Sequence, residues 1–152
     1  MKSKIFGLVL IILVLISCQP QQTAVQAPSV EYLTSDASAN RPFSEAVRVG
    51  NWLILSGQIG INPETGALPP GGIQPETKQT MENIKRTLEK YGSSLDQVVK
   101  CTVMLADISE WSAMNEVYVT YFPNHKPARS AFGTSGLARG ARLEIECWAT
   151  VK

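Results

Sequence analysis

The sequence predicts an α+β domain: one mixed sheet of about six strands with two helices packed on one of its faces. Three observations carry this. Apolar patterning changes period along the chain in the order strands, helix, strand, helix, strands. Each helical segment carries a single apolar stripe, so each has one face to bury, and a sheet is the surface available to it. The chain beyond residue 30 is about 120 residues long, the size of one domain.

The first 18 residues, "MKSKIFGLVLIILVLISC", stand apart from that domain. Lys2 and Lys4 precede an apolar run from Ile5 to Ile16, 12 residues long. That is the length of a signal-peptide core and well short of the ~20 that span a bilayer. Ser17-Cys18 directly follows Leu15-Ile16, which resembles the lipobox of bacterial lipoproteins. The resemblance implies cleavage before Cys18 and acylation of its thiol and new amine. Several acyl chains anchor far more firmly than one. An ordinary secretory signal with an incidental cysteine is the alternative. Residues 1–17 are thus expected to be a lipoprotein signal peptide. Residues 18–30 are expected to be the acylated cysteine and a Gln- and Pro-rich disordered tether, and 31–152 the folded domain. Gln19 after the cysteine resembles an outer-membrane sorting pattern. The expected location is therefore the cell envelope, anchored by lipid and facing the periplasm.

The domain's elements follow in order. Ala46–Val49 and Trp52–Leu55 flank Gly50-Asn51, a two-residue hairpin signal. "INPETGALPPGG" is a turn-rich loop. Pro75 suits the first turn of a helix, in which Met81, Ile84, Leu88 and Tyr91 form one stripe, and Gly92 suits its stop. "DQVVKCTVMLAD" is rich in β-branched residues and reads as a strand. Asp107 and Glu110 have the spacing of a carboxylate capping box. They open a second helix with Trp111, Met114, Val117, Tyr118 and Tyr121 on its core side. "ARSAFG" is a short strand. In "ARLEIECWATV", Leu143, Ile145, Cys147, Ala149 and Val151 alternate with Arg142, Glu144, Glu146, Trp148 and Thr150.

Charge and residue inventory narrow the chemistry. The whole chain has 14 Lys+Arg against 13 Asp+Glu, and loss of Lys2 and Lys4 leaves 12 against 13. No basic run survives, which points away from nucleic acid. Cys101 and Cys147 fall inside strands and read as two free core thiols rather than a bridge. With a single histidine, His125, the chain offers neither metal-ligand spacing nor the parts of a Ser-His-Asp triad. No metal and no cofactor are expected.

Two features remain unabsorbed by a monomeric domain. Two helices cannot cover both faces of a sheet that carries Trp52, Phe132 and Trp148, so a homo-oligomer using the second face is expected. Arg129 in "HKPARSAFG" places a permanent cation beside Ala128, Ala131 and Phe132, and such a group needs an anionic partner. Glu144 or Glu146 on the last strand is one candidate, in a purely structural ion pair; a ligand is the other. Glu144 itself reads, by alternation alone, as a solvent-face residue.

Five stretches then resemble the Rid family (reactive intermediate deaminase, YjgF): "RPFSEAVRVGNWLILSGQIGINPETG", "GGIQPETKQTMENIKRTLEKYGSSLDQVVKCTVMLADI", "NEVYVTYF", "PARS" and "RLEIECWATV". The similarity runs from about Asn40 to Val151. It implies a chorismate-mutase-like fold in a homotrimer with the helices outside. Three clefts between subunits would each bind a small carboxylate-bearing substrate. The resemblance assigns Arg129 to the substrate carboxylate, where a bidentate fork outperforms lysine. It assigns Glu144 to the water or the protons at the reacting carbon, and Ser56, Gly57 and Asn115 to the lining of the cleft.

The pattern also departs from the family. Phe43 stands in "PFSE" where many members have tyrosine, which keeps a ring and drops a hydroxyl. Ala131 stands where many have cysteine or threonine. The implied reaction is hydrolysis of 2-enamine and 2-imine acids, such as 2-aminoacrylate and 2-iminopropionate, to 2-keto acids and ammonia. The alternative is a non-catalytic, membrane-tethered trimer that binds a small carboxylate metabolite.

Overall fold

The structure, a computed structural model, describes residues 26–151. The signal peptide expected over 1–17, the acylation expected at Cys18 and the tether up to residue 25 lie outside the described residues.

Seven strands form one sheet, one more than the reading above expected. They are β1 (Val30–Leu33), β2 (Ala46–Val49), β3 (Trp52–Leu55), β4 (Gln58–Ile59), β5 (Val98–Leu105), β6 (Ala128–Gly133) and β7 (Leu143–Thr150). Their order is β1-β2-β3-β7-β5-β6, with the two-residue β4 also pairing β7. Only β5 and β6 run parallel, and α2 lies in the chain between them, as a parallel crossover requires. Val30, expected at the end of the tether, begins β1 by pairing with Val49.

The hairpin turn is as expected: Val49 pairs Trp52 across Gly50-Asn51, and Gly50 takes φ 55, a conformation that glycine adopts without strain. Helix α1 spans Ile73–Lys90 and starts two residues before Pro75, which still falls in the first turn where its missing N–H costs nothing. Ile73, Met81, Ile84 and Leu88 are buried along one stripe, and Gly92 at φ 81 ends the helix.

The expected capping box before the second helix forms by half. Asp107 accepts from the Ser109 amide at 2.9 Å. Glu110 does not return the contact; its carboxylate instead receives Arg142 Nε at 3.0 Å. A 3₁₀ turn, Ile108–Glu110, therefore precedes a short α2 (Trp111–Tyr118). The predicted stripe on α2 splits in the structure. Met114 and Tyr118 are buried, whereas Trp111 stays 41% exposed.

The core lies between the helices and one sheet face. Leu53, Val103, Leu105, Leu143 and Ile145 meet Met81, Ile84, Leu88 and Met114, all fully buried. Each such side chain contributes about 1.5–3 kcal/mol. Cys101 and Cys147 sit directly opposite each other in β5 and β7 as free, buried thiols. A buried carboxylate docks α1 to the loop before β7: Glu76 accepts from the Arg142 amide at 2.7 Å. Gly60 is required beside it, because a Cβ there would come within 2.6 Å of Glu76 Cγ.

The opposite face is bare among the described residues. Paired positions share a face, so Tyr32, Val47, Ile54 and Trp148 form one row across β1, β2, β3 and β7. Trp52, Trp148 and Phe132 are 46%, 43% and 47% exposed. This is the uncovered apolar face that the element count predicts.

Candidate active site

The sheet register divides the expected site residues between the two faces. Arg129 pairs Cys101, which pairs Cys147, so its side chain leaves the sheet on the helix side. Glu144 pairs Met104 and Ile59 and leaves on the bare side. Within one chain the two residues are therefore not neighbours. Nor do they form the structural ion pair considered for Arg129: the ion pairs among the described residues are Arg48–Glu31, Lys90–Glu45 and Arg142–Glu110.

The first group is built on β6 and α2. Arg129 Nη1 donates to Asn115 Oδ1 at 2.6 Å. The guanidinium carbon lies 4.7 Å from the Tyr118 ring centre and 5.6 Å from that of Trp111. Trp111, Asn115 and Tyr118 are spaced by four and three residues, which sets all three on one helix face. Two ring faces and one amide oxygen thus hold a cation that has no carboxylate partner among the described residues. Cation–π contacts of this kind contribute about 0.5–2 kcal/mol. Ala131, half-buried, follows two positions along β6 on the same face.

Beneath this group, burial pushes the Tyr118 hydroxyl far above its ordinary range, and the neighbouring Cys101 pushes it the same way. That hydroxyl has no hydrogen-bond partner among the described residues. Cys101 is itself lowered, chiefly by its contact with Cys147, with Arg129 contributing.

The second group is built where β3 gives way to β4. A Cβ on Gly57 would lie 1.8 Å from Glu144 Oε1. The carboxylate of Glu144 therefore rests directly on the Gly57 backbone, in space that only glycine leaves open. It has no cation and no hydrogen-bond donor from the described side chains. Ser56 Oγ donates to the Ser44 carbonyl at 2.7 Å, and the Ser56 amide donates to the Glu45 carbonyl at 3.1 Å. These bonds zip the Ser56-Gly57 turn to the segment that carries Phe43, which is 51% exposed.

That segment is held from behind by a residue that pattern reading passed over. Glu45 accepts from Ser35 Oγ, Lys90 Nζ and Tyr91 Oη, each at 2.6 Å. Burial works against its charge, but the hydrogen bonds from Lys90, Ser35 and Tyr91 outweigh it and bring its pKa down to about 2. The sequence pattern puts Trp111 and Tyr118 on the core stripe; Tyr118 is in the core as expected and also lines the Arg129 group, whereas Trp111 is exposed. Their spacing around Asn115 was the available signal that they belong to the site.

The family model described as Endoribonuclease L-PSP matches residues 34–151. The chain belongs to this family, the Rid (YjgF) family. Among curated Rid-family relatives, the 2-iminobutanoate/2-iminopropanoate deaminase of Mus musculus is 42% identical over 113 residues, covering 74% of this chain and 84% of that protein. The crystal structure of YyfA from Yersinia pestis, described as a protein of unknown function of the conserved Rid family, is 36% identical. It covers 81% of this chain and all of its own, with a TM-score of 0.76. E. coli TdcF, solved with bound serine, is 28% identical, with a TM-score of 0.70 over 84% of this chain and 99% of its own. The fold is accordingly the chorismate-mutase-like α+β fold of the Rid family, as the sequence implied.

Proposed function

We propose that this protein hydrolyses 2-enamine and 2-imine acids to 2-keto acids and ammonia, at sites completed between copies of the chain. The observation that carries this is the pair of complementary half-sites. Among the described residues Arg129 is a held cation with no anion, Glu144 is a seated carboxylate with no cation, and the two point away from each other in one chain. A second copy that lays its β6 edge, the end of the sheet, beside the bare face would bring its Arg129 group to a Glu144 group. The Rid resemblance makes that assembly a trimer.

In such a cleft Arg129 grips the substrate carboxylate with the donors that Asn115 does not occupy, and so fixes the C=N carbon. Glu144 takes a proton from water as the oxygen bonds to that carbon and passes it to the imine nitrogen, giving a tetrahedral amino alcohol. It then takes the hydroxyl proton as the C=O bond forms and delivers it to nitrogen, so that the C–N bond breaks and ammonia leaves. Gly57 and Ser56 shape the wall beside Glu144, and Phe43 closes it without a hydroxyl. Substrate, water, keto acid and ammonia balance with no redox step.

The name of the mouse relative and the serine held by TdcF, itself a small carboxylate, both support this reading. It is favoured over the RNA cleavage in the family description because the chain is charge-balanced, 14 against 13, with no basic run to track phosphates. We further propose that the domain is exported and anchored to the envelope through acylated Cys18. The function is tested by supplying the full chain, in detergent, with 2-aminoacrylate generated in situ. Accelerated keto acid and ammonia release supports the enzyme. Saturable binding of 2-keto acids without acceleration would leave only a carboxylate-binding module.

A further inference from the structure

We propose that the preferred substrates are 2-imino acids bearing an extended apolar side chain, such as an aromatic ring, rather than the small 2-iminopropionate. This rests on the imine-hydrolysis reading and concerns the space next to Arg129. The guanidinium is fixed on three sides, by Asn115, by the buried Tyr118 ring and by Trp111. A carboxylate held there has one stretch of the chain along which to extend. On that face β6 continues with Ala131 and then Gly133, so the strand presents nothing larger than a methyl group.

The side of this space is apolar. Ile108 sits above Gly133, where an added Cβ would lie 3.2 Å from its own, and it is 52% exposed. Trp111, one 3₁₀ turn later, is 41% exposed while it stacks on the cation. The nearest acidic group on this stretch, Glu110, is engaged by Arg142 and does not compete for Arg129.

A cation at one end, a floor no larger than the Ala131 methyl group and two exposed apolar walls match an amphiphilic carboxylate. A methyl substituent would leave the indole and Ile108 in water, whereas a benzyl or isobutyl group would cover them. Phe43, the apolar wall of the other half-site, adds to the same preference.

The test supplies the full chain with 2-imino acids made in situ by an L-amino-acid oxidase from phenylalanine, leucine or alanine. Imine loss is followed by semicarbazide trapping. The expected kcat/KM for the phenylalanine-derived imine exceeds that for the alanine-derived one by about tenfold or more. Trp111→Ala brings the ratio toward one. Ala131→Leu, which fills the floor, lowers it too. A ratio at or below one in the parent chain, or a ratio that neither variant moves, overturns the proposal. If no imine is turned over, the hydrolysis reading fails by itself. The preference is then read by calorimetry with phenylpyruvate against pyruvate. Tighter phenylpyruvate binding that Trp111→Ala abolishes upholds it, and equal binding refutes it.

Discussion

The two half-sites are built by opposite means. Around Arg129 every constraint comes from side chains: an amide at 2.6 Å and two aromatic rings, all from a short helix, hold the guanidinium that β6 carries. Around Glu144 the constraint comes from backbone: the carboxylate lies on a glycine, at a break between two strands, with its oxygens left free by the described side chains. The difference suits the two tasks proposed for these residues. A group that grips a charge gains from being fixed before the substrate arrives. A group that moves a proton must keep its oxygens available to water and substrate.

Each half can be broken separately, and the largest effect is expected at the cation. Arg129→Ala should lower kcat/KM for imine hydrolysis by about a thousandfold, because the substrate carboxylate is left without a partner. Arg129→Lys should recover little of this, since an ammonium cannot reproduce a fork between two rings. Steady-state rates for the three chains decide the point. Glu144→Gln keeps the shape and removes the proton acceptor. It should cost about three-hundredfold in kcat with a modest change in KM. A raised KM with kcat kept would instead make Glu144 a binding group.

Gly57→Ala probes the backbone seat. The new methyl group must displace a carboxylate now 1.8 Å from its position. About a hundredfold lower kcat is expected, from a misplacement of an ångström or more. The Arg129 half should be unaffected, which 2-keto acid binding would show as an unchanged Kd.

The smallest expected effect lies behind Phe43, at Glu45. Its folded pKa of about 2 is below the ordinary 4.5, so its stabilisation is present above pH 4.5 and is lost as the pH falls toward 2. At neutral pH Glu45→Gln should unfold about 1–3 kcal/mol more easily. That gap should close between pH 4.5 and 2, as thermal unfolding across the range would reveal.

Local pattern made much of this legible. The Gly50-Asn51 hairpin, the α1 stripe and the alternation of β7 are short-range signals, and each appears in the structure where its residues put it. What escaped depends on pairing at a distance. Strand β4 is two residues long and exists only through its register with Ile145 and Glu144. The side on which Arg129 leaves the sheet follows from its pairing with Cys101, 28 positions earlier, which no periodicity in "ARSAFG" contains. Trp111 read as core because a helical stripe shows which residues share a face and not how far along it the core extends. Arg129 stands out in the sequence as a cation in need of an anion; its role and the other site residues come from the family resemblance, and the structure sorts them into two groups.

The central claim, that each cleft takes Arg129 from one copy and Glu144 from another, is tested by mixing two inactive chains. Arg129→Ala and Glu144→Gln proteins are unfolded together, refolded in equal amounts and assayed for imine hydrolysis. Random reassembly should place both parent residues in about a quarter of the clefts, restoring about a quarter of the parent activity. Activity that stays at the level of the separate variants, in mixtures shown to exchange subunits, would contradict a shared site.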